Sequence, residues 1–134
     1  MVQKDYEFVF LSMKRLISSF GFAFKGLRYA AKTQPNFRIH LAAGITAVTL
    51  GLCFKISTAE WLWVMACIAL VLITELLNTG LETLTDLVSP TYHEKAGHTK
   101  DAGAAAVVIA ALFSVITGAI IFLPKIIILF GHAA

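Results

Sequence analysis

The stretch AEWLWVMACIALVLITELLNTGLETLTDLV, residues 59–88, decides the fold. Its first half is apolar enough for lipid, and Glu75, Asn78, Glu82 and Asp86 sit in its second half. At 100° per residue those four positions fall within about 80° of one another, one narrow stripe of a helix. Ionised carboxylates are costly in hydrocarbon, so they face a protein interior or a water cavity and mark a functional site. A greasy helix with a carboxylate stripe predicts a membrane span that carries chemistry.

The rest of the chain agrees. It has 134 residues, 58% of them hydrophobic and only 14% charged, with a mean hydropathy of +0.80. Soluble domains carry about 25% charged residues, so this composition predicts a single all-α integral membrane domain over residues 1–134. The bilayer supplies much of the burial, and a small chain with a polar stripe is expected to oligomerise. Cys53 and Cys67 lie in apolar surroundings without CxxC spacing and read as small buried hydrophobes, not as a disulfide. No apolar segment followed by a small-residue cleavage site opens the chain, so the first span is expected to remain in the mature protein.

Four elements follow from periodicity. Residues 8–33 form an amphipathic helix, with Met13, Leu16, Ile17, Phe20, Phe24 and Leu27 on one face and Lys14, Ser18, Lys25, Arg28 and Lys32 on another. Such a basic amphipathic helix lies in the membrane interface, and Gly21 and Gly26 offer places to bend. Transmembrane helices are expected at 37–54, 59–88 and 101–123, with Trp61 and Trp63 as interface anchors. Small residues at 102–106 and Gly118 allow close helix packing. Pro90 ends the second span, and Pro124 with Lys125 marks the far end of the third.

Seven of the eleven Lys and Arg residues lie before or at the very start of the first span. Beside three spans, anionic headgroups and the positive-inside rule explain that arm better than a nucleic-acid partner does. The N-terminus and the 89–100 loop are then cytoplasmic and the C-terminus external. Counted from Trp61 at the outer interface, Glu75 is ~21 Å down its helix and Glu82 ~31 Å. The stripe opens toward the cytoplasm, where Lys100 and Asp101 also lie.

Two carboxylates two turns apart can divide labour. Glu75, the deeper, is placed to act as a general base. Glu82, nearer water, suits a hard divalent cation, with Asp86 a further turn outward. Lys100 is placed for phosphate oxygens at the start of the third span. A base at lipid depth below a metal and phosphate site describes phosphoryl transfer from a water-soluble donor to a membrane-buried alcohol. A proton or cation path through a small oligomeric transporter is the alternative, though it gives Lys100 and Asp101 no role. His93, Glu94 and His98 read as solvated loop residues because HExxxH is not a zinc motif, and His40 reads as an interfacial or hydrogen-bonded histidine.

ELLNTGLETLTDLV (75–88) followed by YHEKAGHTKDAGAAAVVIAA (92–111) resembles the signature of the small prokaryotic diacylglycerol kinase family, undecaprenol kinases included. FKGLRYA (24–30) and NFRIH (36–40) are similar too, so the resemblance covers roughly residues 13–125. It implies a homotrimeric lipid kinase of the bacterial inner membrane, with active sites shared between subunits and Mg²⁺ and ATP as metal and co-substrate. It assigns Glu75 as catalytic base and Asn78 as its active-site companion, both on the lipid alcohol. Glu82 would bind the metal carried by ATP, and Lys100 and Asp101 would contact nucleotide. Arg15, Tyr92 and His93 fall where the family meets ATP, and Asp86 is supportive. The family usually places a Glu beside the metal where this chain has Gln34; the amide oxygen would ligate without charge. Undecaprenol or diacylglycerol is the implied acceptor, giving undecaprenyl phosphate or phosphatidic acid, and NFRIH, LVSP and IIFLPK look more like the undecaprenol kinases.

Overall fold

In the computed structural model the described residues, 2–131 with side chains from 13 onward, are nearly all helical. They form α1 (Val2–Thr33), α2 (Pro35–Cys53), α3 (Thr58–Val88) and α4 (Glu94–Gly131). The chain divides at Thr33 into an N-terminal unit, α1, and a second unit from Gln34 onward.

α1 is one continuous helix through Gly21 and Gly26, and its apolar stripe is open: Leu16, Ile17, Phe20 and Phe24 are all exposed. Lys25 lies over the Phe22 ring, 5.5 Å from its centre. An uncovered stripe of this kind beside a basic face suits the headgroup boundary.

In the second unit, α2, α3 and α4 are each long and apolar enough to cross a membrane. Pro35 opens α2, where its missing N–H costs nothing. α2 ends on a Schellman turn: Ile56 N–H donates to Gly51 O and Lys55 N–H to Leu52 O, with Lys55 at φ 50°. Ser57 then caps α3 through a capping box with Glu60. Gly51 is required here, because a Cβ would lie 2.8 Å from the Trp61 ring. Trp61 thus packs the hairpin shut. Ile56, Val64, Ile121 and Phe122 form the core at this turn end, with Phe54 and Phe122 rings 6.4 Å apart.

α4 differs from the expected 101–123 span. It starts at Glu94 and runs through Pro124 to Gly131. Proline removes one backbone bond from a helix interior, a loss membrane helices tolerate. At 38 residues α4 is longer than the ~20 that suffice to cross. Glu94 and His98 therefore occupy the first turns of a helix and not a loop; they are exposed and pair with each other at 3.7 Å. Cys67 is buried as expected, but Cys53 is exposed, and both are free. Hydroxyls inside the spans are satisfied locally: Thr46, Thr49, Thr74, Thr79 and Ser114 each donate to a carbonyl four residues back. Ile39, Leu62, Ile73, Ile109 and Ile120 stay exposed, a surface for hydrocarbon or for another apolar partner.

Candidate active site

At the end of the second unit away from the α2–α3 turn, polar side chains converge on α3. The α2–α3 hairpin is antiparallel, so the start of α2 lies beside the second half of α3. Gln34, just before α2, donates from Nε2 to Glu82 Oε2 at 3.2 Å. Six residues further along, His40 Nε2 lies 3.3 Å from Glu75 Oε1. Asn78 links the two levels along α3, donating from Nδ2 to Glu82 Oε1 at 3.0 Å. Glu82 therefore accepts from two amides, whereas Glu75 faces an imidazole.

α4 closes the other side. Gly103 comes so near that any Cβ there would collide with Asn78 Oδ1 and meet Leu81. That close approach holds the Asn78 amide in place. One turn outward, Lys100 Nζ donates to Asp86 Oδ1 at 2.5 Å, a half-exposed pair bridging α4 and α3.

Between the helices lies a cleft of about 450 Å³, with Asn36 and His40 on α2, Glu75, Asn78 and Glu82 on α3, and an apolar α4 wall that includes Val107. Glu75 is 2% exposed, yet its Oε1 has no hydrogen bond, and neither does the buried Oδ1 of Asn78. The His40 contact is close enough for an ion pair but lacks hydrogen-bond alignment. Buried polar atoms are normally paired, and two orphans beside one cleft leave acceptors for a ligand's donor or for a cation. A second cavity of about 220 Å³ adjoins it, apolar and lined by Gly44, Cys67 and Val71 among others; His40, Ala111 and Val115 line both.

The other residues singled out from the sequence lie apart from this cluster. Asp101 is exposed at the second turn of α4. Tyr92 is exposed in the α3–α4 connection, and His93 beside it accepts the Lys95 N–H. Arg15 is on α1, outside the unit that forms the cleft. No group of three His, Cys, Asp or Glu residues suited to a metal occurs among the described residues. Both amides turn their NH2 groups toward the Glu82 carboxylate, the one charged oxygen ligand of the set. Magnesium takes one or two carboxylates plus substrate phosphates, so Glu82 would hold it with the Gln34 amide turned over to present its oxygen. His40, read from the sequence as an interfacial or hydrogen-bonded histidine, was not placed beside Glu75 there. The signal for it is the α2–α3 hairpin, whose antiparallel course brings the first turns of α2 beside the second half of α3.

The profile of the prokaryotic diacylglycerol kinase family matches residues 21–122. The undecaprenol kinase of Bacillus subtilis is 37% identical over 114 residues, which cover 85% of this chain and 93% of that protein. The diacylglycerol kinase of Synechocystis is 40% identical over 83% of this chain, though the match spans only 64% of its length. That of Escherichia coli K12 is 35% identical over 80% of this chain and 88% of its own. With three spanning helices and a match across three quarters of its length, the chain belongs to the prokaryotic diacylglycerol kinase family and is a bacterial membrane lipid kinase.

Proposed function

We propose that this chain transfers the γ-phosphate of Mg-ATP to the hydroxyl of a membrane lipid alcohol, undecaprenol before diacylglycerol, giving undecaprenyl phosphate or phosphatidic acid. One observation carries the reading: a buried carboxylate with an unpaired oxygen, Glu75, sits two helical turns below Glu82 in a single cleft. In this reading the alcohol O–H donates to Glu75, which takes the proton as oxygen attacks phosphorus. Asn78 Oδ1 is the neighbouring acceptor that helps to orient the hydroxyl. Glu82, with the Gln34 amide turned to present its oxygen, would hold Mg²⁺, which when bound neutralises phosphate charge. Lys100 exchanges Asp86 for a phosphate oxygen. Positioning and charge stabilisation, not covalent chemistry, then do most of the catalysis.

Arg15, Tyr92, His93 and Asp101 join the nucleotide side in this reading, and a homotrimer with sites shared between copies would bring them there and cover the exposed apolar faces. The excess of basic residues before the first span supports a cytoplasmic N-terminus and active site in the inner membrane, with the C-terminus outside. Relatives of both kinds match to a similar degree, and the polyprenol is put first because NFRIH, LVSP and IIFLPK look more like the undecaprenol kinases. Cation or proton transport, the alternative from intramembrane carboxylates, is not favoured by membership of a kinase family.

The test is phosphate transfer from γ-labelled ATP with Mg²⁺ to undecaprenol and diacylglycerol in parallel, by purified protein in detergent. Label on the polyprenol is expected, and Glu75→Gln should lower it by roughly 10²–10⁴-fold, the range for a general base. A folded parent protein that labels neither alcohol, or a Glu75→Gln variant as fast as the parent, would sink the reading.

A further inference from the structure

Building on that reading, we propose that His40 is the proton acceptor behind Glu75: it relays the alcohol's proton from the buried carboxylate to the water of the cleft. The observation is the juxtaposition of an imidazole on α2 with the carboxylate on α3, Nε2 3.3 Å from Oε1. Glu75 is almost wholly buried, while the His40 side chain keeps 23% of its surface exposed. His40 therefore touches the base and also lines the cleft, where it exposes more of its surface than Glu75 does. It also lines the apolar cavity as well as the polar cleft, at the boundary where a lipid's hydroxyl would meet its chain.

Phosphoryl transfer to an alcohol leaves one proton behind, and a buried base that keeps it cannot begin a second turnover. The relay closes the cycle. As the lipid oxygen bonds to phosphorus, the β–γ bridging bond breaks and its electron pair leaves with ADP. The hydroxyl proton passes to Glu75, then to Nε2 of neutral His40, and from the imidazolium to water. Glu75 is again a carboxylate, now beside an anionic product that its charge helps to expel. A contact at 3.3 Å without hydrogen-bond alignment is ordinary for catalytic partners before substrate arrives. Among the residues lining the cleft the charged groups are Glu75 and Glu82 on α3, and the α4 wall of the cleft is uncharged. Arg38 stands two residues before His40 on α2, and Lys100 and Asp101 lie at the start of α4, outside the lining.

His40→Gln and His40→Ala, compared with the parent on the preferred alcohol, test the relay. Glutamine still offers an N–H to Glu75 but takes no proton, so kcat should fall at least about tenfold with KM for ATP unchanged, the pattern of a lost transition-state contribution. The kcat–pH profile should change shape, because the substituted side chain takes no proton. Added imidazole, small enough for the adjoining cavities, should restore much of the rate to His40→Ala and none to Glu75→Gln. Thermal melts separate misfolding from slowed chemistry, and glutamine covers the case in which alanine does not fold. A His40→Gln kcat within about threefold of the parent, or a loss in His40→Ala that imidazole leaves untouched, would overturn the relay and leave the kinase reading standing. An inactive parent would instead overturn the kinase reading, and the relay with it.

Discussion

α3 carries a carboxylate bridge at each end, and the two are built differently. Near the N-terminus, Glu60 accepts from Lys125 at 2.5 Å with one oxygen and from the Ser57 N–H at 2.7 Å with the other. Both oxygens have donors and the charge is matched. In the second half, Glu82 is held only by amides and Glu75 faces an imidazole, with two buried oxygens nearby unpaired. A bridge that exists to hold helices together satisfies itself. One that exists to meet a ligand keeps acceptors in reserve, at a cost in stability met by packing elsewhere. The turn-end core around Ile56, Val64 and Phe122 provides that packing.

The sharpest way to break the contrast is Gly103→Ala. A methyl group there drives into the Asn78 amide oxygen, so the amide must swing off Glu82 while the rest of the unit is left alone. A misplacement of about 1 Å in an active site can cost 10²-fold, so a fall in phosphate transfer of roughly 10–100-fold is expected, with thermal stability little changed. Transfer at the parent rate would show that Asn78 needs no such clamp.

Gln34→Glu asks whether the reserve is tuned to a metal. The substitution puts two carboxylates where an amide now donates at 3.2 Å. Without Mg²⁺ the variant should melt earlier than the parent, since like charges at that distance repel. With Mg²⁺ it should gain more thermal stability than the parent does and transfer phosphate at lower Mg²⁺, because affinity for hard cations rises with ligand charge. An unchanged Mg²⁺ requirement would remove position 34 from the metal site.

The two ends were not equally legible in the sequence. The membrane class and the helices came from composition and period, which report what a residue does to its own turn. The stripe Glu75, Asn78, Glu82 and Asp86 was readable because all four lie on one helix, and the Asp86–Lys100 pair bridges two residues already singled out. What went unread crosses between helices. His40 on Glu75 depends on hairpin register, and Lys125 on Glu60 joins residues 65 apart that local patterning cannot connect. Nor could the length of α4 be read, because Pro124 signals a helix end by local pattern, whereas the helix runs through it to Gly131.

The smallest effect belongs to the self-satisfied bridge. Lys125→Met keeps the stem of the side chain and removes its charge, which leaves Glu60 with the Ser57 cap alone. Both side chains keep 28% of their surface exposed, so water can replace much of what is lost, as at most surface ion pairs. The melting temperature should drop by a few degrees and the rate should not change, because nothing in the bridge touches the cleft. Glu60→Gln should behave in the same way, and the double variant should cost no more than the larger single one if the pair acts as a unit. The contrast fails if Lys125→Met slows phosphate transfer without affecting the melt, for then the distant bridge would be coupled to the chemistry and satisfaction of a polar group would no longer distinguish scaffold from site.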